Sequence, residues 1–317
     1  MHAPPRHYSA FLLLAASMTL VGVYVALSKP LVAAIPVFLL AFLRFGIAAV
    51  AMLPWTVRAR GEAKLSPREF RFLFLQSFFG NFLFSICMLS GIALATATAA
   101  GVILATLPAA VAILSWIFLR ESLSRRVLLA VFLAVGGIAL LQLARAEQPA
   151  PGFDPGATPG AQTASALGSL LLFGAVVCEA IYVIIGKRLT ATRTPLRVSA
   201  LINLWGLALS APFGVWQLTD FDLASIGPQT WVLLVFYSLA ASWIAVWLWM
   251  AGLKHVPANR AGVFTVALPI AATAVGVFLL GESFTALHAA ALAAASAGVV
   301  LIATDQETGH RSPVTDH

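Results

Sequence analysis

An internal duplication constrains this chain more than any other feature of its sequence. The segments Leu107–Leu141 and Leu268–Ile302 share one pattern, an apolar run with a proline, a Glu-Ser pair, and a second apolar run rich in Gly and Ala. The offset between them is 161 residues (268 minus 107). A fainter echo, at an offset of 158, relates Tyr24 to Tyr182. The identical pairs at the larger offset are Leu107/Leu268, Pro108/Pro269, Ala110/Ala271, Glu121/Glu282, Ser122/Ser283 and Gly137/Gly298. The chain is therefore expected to be two structurally related halves.

The composition indicates an integral membrane protein. Of the 317 residues, 61% are hydrophobic and only 10% are charged, whereas soluble domains carry about 25% charged residues. So much apolar surface needs lipid around it. The two cysteines, Cys87 and Cys178, both lie in apolar runs, and their number and spacing give neither a disulfide framework nor a CxxC metal site. The net charge of +7 lies in short loops, so it indicates membrane orientation and not nucleic-acid binding.

Ten apolar segments are long enough to cross a bilayer, for which a helix needs about 20 residues. We expect an all-α membrane protein, and the first apolar run is interpreted as a retained span and not as a signal peptide. The predicted spans are 8–28, 34–54, 71–90, 97–118, 126–144, 166–186, 198–216, 230–251, 260–280 and 285–304.

The distribution of Lys and Arg predicts the orientation. With the N-terminus in the cytoplasm, sixteen of these residues fall in inside loops, Lys29 and Arg145 fall outside, and Arg44 lies within a span. Such a bias is the positive-inside pattern, and it predicts that both termini are cytoplasmic. The sixteen are Arg6, Arg58, Arg60, Lys64, Arg68, Arg71, Arg120, Arg125, Arg126, Lys187, Arg188, Arg193, Arg197, Lys254, Arg260 and Arg311.

Five spans in each half is an odd number, so the second half is expected to enter the membrane from the opposite side. The predicted parts are a first half (1–145), an exterior linker rich in Pro, Gly and Ala (146–165), a second half (166–305) and a cytoplasmic tail (306–317). Inverted repeats are typical of secondary transporters, in which two related bundles rock about a site near the midplane. The alternative is a duplicated membrane scaffold that encloses no pathway.

These features together resemble the EamA-type members of the drug/metabolite transporter superfamily. The resemblance covers nearly the whole chain. It rests on the order and duplication of the Pro and Glu-Ser blocks, on LLAFLRFGIAAVAMLP in the second span, and on WLWMAGLKHVPANRAGV at the end of the eighth. It implies a bacterial plasma-membrane transporter, often an exporter of amino acids or related metabolites. Two positions depart from the family pattern, because Val21 and Glu179 stand where tryptophan is frequent. Both departures fall in the expected pathway, so the resemblance does not carry over a substrate.

Arg44 and Glu179 are the two formal charges placed well inside predicted spans. A charge at the bilayer centre costs about 2.5–3.5 kcal/mol even on the lenient insertion scale, so each should face the protein interior or water. In the functional interpretation, Glu179 couples transport to protons, or Arg44 binds a substrate carboxylate. In the structural interpretation, the two charges neutralise each other, or Arg44 binds backbone carbonyls.

The other candidate pathway residues are prolines and polar or aromatic side chains near the middle of their spans. Symmetry-related prolines would kink two helices and free backbone carbonyls beside a cavity, unless they are packing kinks alone. For the remaining side chains the alternative is packing between helices. These candidates are Tyr24, Asn81, Pro108, Tyr182, Asn203, Ser242, Trp243 and Pro269.

The paired acids Glu121 and Glu282 are expected to be structural, because an acid at the start of the following helix complements the helix dipole. No catalytic, nucleotide-binding, cofactor or metal motif is present, so we expect no enzyme. The leading hypothesis is a secondary transporter that exports small metabolites such as amino acids by alternating access. The alternatives are a flippase or exporter for an amphiphile, drug or lipid-linked substrate, and a non-transporting scaffold. The expected partners are a small solute and membrane lipid, with the chain a monomer or homodimer that binds no nucleic acid.

Overall fold

The structure is a computed structural model, and it describes residues 6–27, 31, 34–57, 62–94, 103–146, 159–280 and 286–308. Every regular element among these residues is helical. We number ten helical runs α1 to α10 in chain order. The first five are α1 (Arg6–Leu27), α2 (Val37–Ala51), α3 (Pro67–Ser77, Phe78–Leu83 and Phe84–Leu94 without a break), α4 (Leu107–Leu114 and Ser115–Leu119) and α5 (Arg125–Ala146). The last five are α6 (Pro159–Thr192), α7 (Pro195–Thr219), α8 (Pro228–Leu239, Ala240–Ile244 and Ala245–His255), α9 (Ala258–Val263, Phe264–Val266 and Ala267–Leu280) and α10 (Ala286–Thr308).

Each predicted span coincides with one of these runs, with differences at the ends. Helix α6 begins at Pro159, inside the segment that the sequence assigned to the linker, and α10 continues to Thr308. The regular part of α4 begins at Leu107, ten residues after the predicted start, and residues 95–102 lie outside the described part of the chain. The all-helical class is confirmed, while the inverted ten-span arrangement stays a prediction.

Among the described residues, four helices have the length and composition needed to cross a membrane on their own. They are Pro67–Met88, Ala166–Thr192, Pro195–Thr219 and Pro228–His255. Shorter apolar helices accompany them, at Ser9–Tyr24, Val37–Ala51, Leu107–Leu119 and Ala289–Ile302. Large hydrophobic side chains such as Phe132 and Val232, both 72% exposed, cover the outer surface of the bundle. The apolar exterior of the bundle agrees with the lipid environment that the composition predicts.

Proline starts the third helix of each half at equivalent positions. Ser66 precedes Pro67, and its hydroxyl and the Glu69 carboxylate form a reciprocal cap with the backbone amides of the first turn. Pro228 occupies the same place in α8, 161 residues later. Because the second helices start 158 residues apart, at Val37 and Pro195, the three-residue difference between the halves arises between their second and third helices.

The helices of the two halves pack against each other along most of their length. Helix α1 packs on α8 and α9, α2 on α7, α3 on α6, and α5 on α10. In two of these helix pairs, a glycine allows the two backbones to come close together. A Cβ on Gly252 would lie 2.8 Å from the carbonyl oxygen of Ala10 on α1. A Cβ on Gly91, the equivalent position in α3, would lie 3.1 Å from the carbonyl oxygen of Gly168 on α6. The two contacts repeat across the halves, because Ala10 and Gly168 are themselves 158 residues apart.

Charged side chains join the helices at one end of the bundle. The buried Arg193 guanidinium, between α6 and α7, donates to both oxygens of Glu69, at 2.8 and 2.9 Å, and to Glu62 at 3.2 Å. Hydrogen bonds to the Glu69 carboxylate raise the pKa of Arg193 above its usual value. Arg197 lies 3.6 Å from the same Glu62 carboxylate. We call this end of the bundle the Arg193 end.

Two further charges at the Arg193 end cap the turn between α8 and α9. The Lys187 ammonium donates to the carbonyl oxygens of Leu253 and Val256, at 2.8 and 2.7 Å, where α8 ends. The Glu121 carboxylate accepts from the backbone amides of Ala258 and Asn259, at 2.9 and 3.0 Å, where α9 begins. Each charge has the sign that its helix terminus favours.

Glu121 therefore stabilises a different helix from the one expected. The sequence placed it at the start of the following helix, α5, whereas the chain folds so that its carboxylate reaches the N-terminus of α9 in the other half. Helix α9 begins after Pro257, which has no side chain that could cap its first amides, so the cap comes from elsewhere. The twin acid Glu282 lies outside the described residues.

Candidate functional site

A cavity of about 340 Å³ lies inside the bundle, between helices of both halves. Helices α1 to α5 line one part of it, and α6 to α9 line the rest. Eight of the ten candidate pathway residues contribute to its lining. They are Tyr24, Arg44, Asn81, Glu179, Tyr182, Asn203, Ser242 and Pro269. The structure therefore brings these eight together, while their roles in transport stay predictions.

The lining of the cavity repeats across the duplication. Nearly every lining residue has its counterpart in the other half, at an offset of 158 on the first two helices of each half and of 161 on the next two. The first set is Met18/Val176, Val21/Glu179, Tyr24/Tyr182, Arg44/Ile202 and Phe45/Asn203; the second is Gly80/Ala241, Asn81/Ser242, Phe84/Ala245, Ser85/Val246, Met88/Trp249, Leu104/Thr265 and Leu107/Leu268. Equivalent backbone positions thus surround the cavity, but their side chains differ in chemistry.

The helices that carry Asn81 and Ser242 widen at equivalent points. Residues Phe78–Leu83 of α3 and Ala240–Ile244 of α8 form π-helical turns, and the 161-residue offset superimposes them almost residue for residue. Such turns are rare and concentrate at functional sites. Gly80 allows the widened turn to touch the other half, since a Cβ there would lie only 2.2 Å from a ring carbon of Tyr182.

At both prolines the regular α-helix is interrupted just before the ring, near the middle of the predicted span. Pro108 is the second residue of a new segment after the turn at residues 105–106, and Pro269 follows the 3₁₀ turn Phe264–Val266. The ring fixes φ near the helical value and needs no amide donor, so proline suits a first turn. Pro269 lines the cavity, whereas Pro108 is buried outside it and its neighbour Leu107 lines the cavity instead.

Arg44 lies in the cavity wall among aromatic rings. Its guanidinium stands 4.4 Å from the centre of the Phe45 ring and donates a long hydrogen bond of 3.5 Å to the Tyr237 hydroxyl. The Tyr24 ring meets the Tyr237 ring edge-on, with centroids 5.4 Å apart. The Nε atom of Arg44 is buried and has no hydrogen-bond partner. Arg44 therefore keeps hydrogen-bonding capacity beside the cavity.

Glu179 supplies a carboxylate to the same cavity from α6. Within the described part of the chain, Arg193 and Arg197 form ion pairs with Glu62 and Glu69, and no ion pair joins Arg44 to Glu179. The two charges therefore do not neutralise each other as a direct pair, which was one of the structural interpretations. The equivalent of Glu179 in the first half is Val21, so the acid has no symmetric counterpart. Among the described residues that line the cavity, Arg44 is basic and Glu179 is acidic, and they come from different halves.

The amides on α3 and α7 combine packing with exposure to the cavity. Asn203 donates from Nδ2 to the carbonyl oxygen of Phe45 at 3.1 Å, which joins α7 to α2. Asn81 donates to Ser77 at 3.0 Å, and Ser85 donates to the backbone oxygen of Asn81 at 2.6 Å. The Asn203 bond joins two helices, as the packing interpretation expects, whereas the Asn81 bond lies within α3; both residues also line the cavity.

Trp243 lies outside the cavity lining. The tryptophan packs on Trp55 of the chain segment after α2, with ring centroids 5.5 Å apart. The tryptophan that lines the cavity is Trp249, which the sequence reasoning missed, together with Thr265. One signal could have found both, because they are the 161-residue equivalents of Met88 and Leu104, which also line it.

Comparison with known proteins gives a consistent result. The model of the EamA-like transporter family matches residues 8–143 and 166–304. The uncharacterized transporter YetK of Bacillus subtilis strain 168 is 32% identical over 296 residues, which cover 93% of this chain and 86% of that protein. The uncharacterized transporter YyaM of the same strain is 22% identical over 229 residues, or 72% of each chain. A solved crystal structure has the same fold, with a TM-score of 0.74 at 20% identity, over 93% of this chain and 98% of the other.

Proposed function

The chain belongs to the EamA-like transporter family, and on that premise we propose that it exports small metabolites such as amino acids across the bacterial plasma membrane. It works by alternating access, in which two related bundles expose one central cavity to either side in turn. The family makes it a membrane transporter. The substrate class, the direction and the mechanism are the proposal.

The observation that carries the proposal is a cavity whose described lining includes a cation, Arg44, and an anion, Glu179. Arg44 and Glu179 come from different halves and are not paired with each other. A buried charge in a membrane protein is costly unless it meets a partner or water. A zwitterionic solute brings a carboxylate for Arg44 and an ammonium group close to Glu179. The volume of about 340 Å³ is in the range of small-molecule sites.

The repetition of the lining supports the proposed mechanism. When equivalent positions of two halves surround one cavity, a movement that opens it to one side has a mirror movement of similar energy that opens it to the other. We propose that the halves, 1–145 and 166–305, cross the membrane in opposite senses with both termini in the cytoplasm. In this assignment the Arg193 end is cytoplasmic. Its ion pairs and helix caps therefore lie on the side from which the solute enters the cavity.

Glu179 is the proposed coupling group. A carboxylate that faces a cavity can bind a proton when no ammonium group is near it, so a proton and a cationic solute group compete for it. Entry of a proton from outside would then favour release of the solute there. Proton-driven export follows from this competition and needs no nucleotide.

A counterflow assay tests the function. The full chain in proteoliposomes, loaded with an unlabelled candidate solute, should accumulate the same labelled solute from outside. The candidates are amino acids, with sugars, nucleosides and cationic drugs as comparison classes. Accumulation with amino acids that is lost in Arg44→Gln supports the proposal. Accumulation only with the cationic drugs supports the second candidate, an amphiphile exporter, which the apolar lining by Phe84 and Met88 favours.

A further inference from the structure

Two equivalent walls of the cavity differ in how their polar groups are satisfied. On α3, the amide of Asn81 donates to Ser77 and the hydroxyl of Ser85 donates to the backbone oxygen of Asn81, so each has a partner within its own helix. On α8, Ser242 is the equivalent of Asn81, and Trp249 is the equivalent of Met88. The Ser242 hydroxyl and the Trp249 indole nitrogen have no hydrogen-bond partner. The backbone is repeated, but buried polar atoms without a partner lie on the α8 wall, whereas the polar side chains described on the α3 wall, Asn81 and Ser85, each have one.

A third unpartnered atom belongs to the neighbouring helix α7. The amide nitrogen of Asn203 donates to the Phe45 carbonyl, and this contact fixes which way the amide points. The other end of the amide, the oxygen Oδ1, has no partner. Asn203, Ser242 and Trp249 are 2%, 4% and 3% exposed, so bulk solvent cannot replace a partner readily. All three residues line the cavity.

The three groups define a complementary chemistry. The indole N–H only donates, the amide oxygen only accepts, and the serine hydroxyl does both. A hydroxyl or a carboxamide on the solute also offers donors and acceptors together. The α3 wall contributes Phe84 and Met88 to the same cavity, and these apolar side chains suit the carbon atoms of a solute.

From this asymmetry we propose that Asn203, Ser242 and Trp249 form a subsite for the side chain of the solute, and that this side chain carries a hydroxyl or a carboxamide. The inference rests on the proposed function, because the subsite binds the side chain of a zwitterion whose charged groups bind to Arg44 and Glu179. A site built to hydrogen-bond a solute group rejects the analogue that lacks the group, since its own polar atoms then stay buried and unpaired.

Isosteric pairs of amino acids test the subsite. Binding of L-threonine against L-valine, and of L-asparagine against L-leucine, is measured by titration calorimetry on the purified full chain. The polar member of each pair should bind at least about tenfold more tightly. This ratio should fall toward one in Ser242→Ala and in Trp249→Phe. Either variant suffices if the other does not fold. Ser238→Ala is the matched control, since this α8 hydroxyl donates to Leu234 on its own helix and lies outside the cavity lining.

The outcomes separate the subsite from the function. Equal binding of valine and threonine, with amino acid binding intact, overturns the subsite and leaves the proposed function standing. It would mean that water satisfies the three polar atoms. A ratio that survives both α8 substitutions also overturns it. If no amino acid binds, the proposed function fails, and the subsite fails with it.

Discussion

The substitution Gly252→Ala tests the packing between the two halves with a calculable effect. The added Cβ would lie 2.8 Å from the carbonyl oxygen of Ala10 and 2.6 Å from Cγ of Leu14, both on α1. The optimal van der Waals separation of two carbon atoms is about 3.5–4.0 Å, so α1 would have to move away by roughly 1 Å. The leucine side chain can rotate, but the carbonyl belongs to the backbone of α1 and cannot.

The expected magnitude is a difference between two opposing effects. Overpacking of this kind costs about 1–3 kcal/mol, while replacing a helical glycine by alanine recovers up to about 1 kcal/mol. Gly136→Ala is the matched control, because no atom lies within 4 Å of a Cβ at that position. We therefore expect Gly252→Ala to be less stable than Gly136→Ala by about 1–3 kcal/mol.

The duplication supplies a second test of the same reasoning. Gly91 is the first-half equivalent of Gly252, and its Cβ would lie 2.7 Å from Cγ of Leu172. Gly91→Ala should therefore resemble Gly252→Ala and not the control. The assay is thermal denaturation in one detergent, followed by the loss of folded, monodisperse protein on size exclusion. A midpoint for Gly252→Ala at or above that of Gly136→Ala would refute the packing described here.

Three further predictions concern single side chains. Glu179→Gln should remove the pH dependence of solute exchange in proteoliposomes without lowering the denaturation midpoint; an unchanged pH profile would exclude Glu179 as the coupling group. Glu121→Ala should cost about 1–2 kcal/mol, because it removes the cap on two amides of α9, and a midpoint equal to the parent's would contradict this. Arg120→Gly should raise the midpoint by relieving up to about 1 kcal/mol of strain, since Arg120 has a φ of 56°; a lower midpoint would show that its side chain contributes more.

Local periodicity and composition were sufficient for the class of fold and the positions of the helices. Apolar runs of about 20 residues can satisfy their backbone in lipid only as helices. The duplication located the cavity as well, because applying the two offsets to Asn81 and Glu179 points to Ser242 and Val21, which line it.

Contacts between distant parts of the chain could not be predicted in this way. The cap that Glu121 places on Ala258 joins residues 137 positions apart, and nothing in the local sequence of either marks the pairing. The sequence also could not separate Trp243 from Trp249. Six residues apart on a helix with a π turn, they point in different directions, and one packs on Trp55 while the other lines the cavity.

The most direct test of the account is whether the cavity opens to both sides of the membrane. Val21 lines the cavity and can be replaced by cysteine after Cys87 and Cys178 are changed to serine. A membrane-impermeant maleimide is then applied to intact cells and to inside-out vesicles. Alternating access predicts that Val21→Cys is labelled from either side and that a transported solute slows both reactions. Labelling from one side only, or from neither, would contradict the central claim.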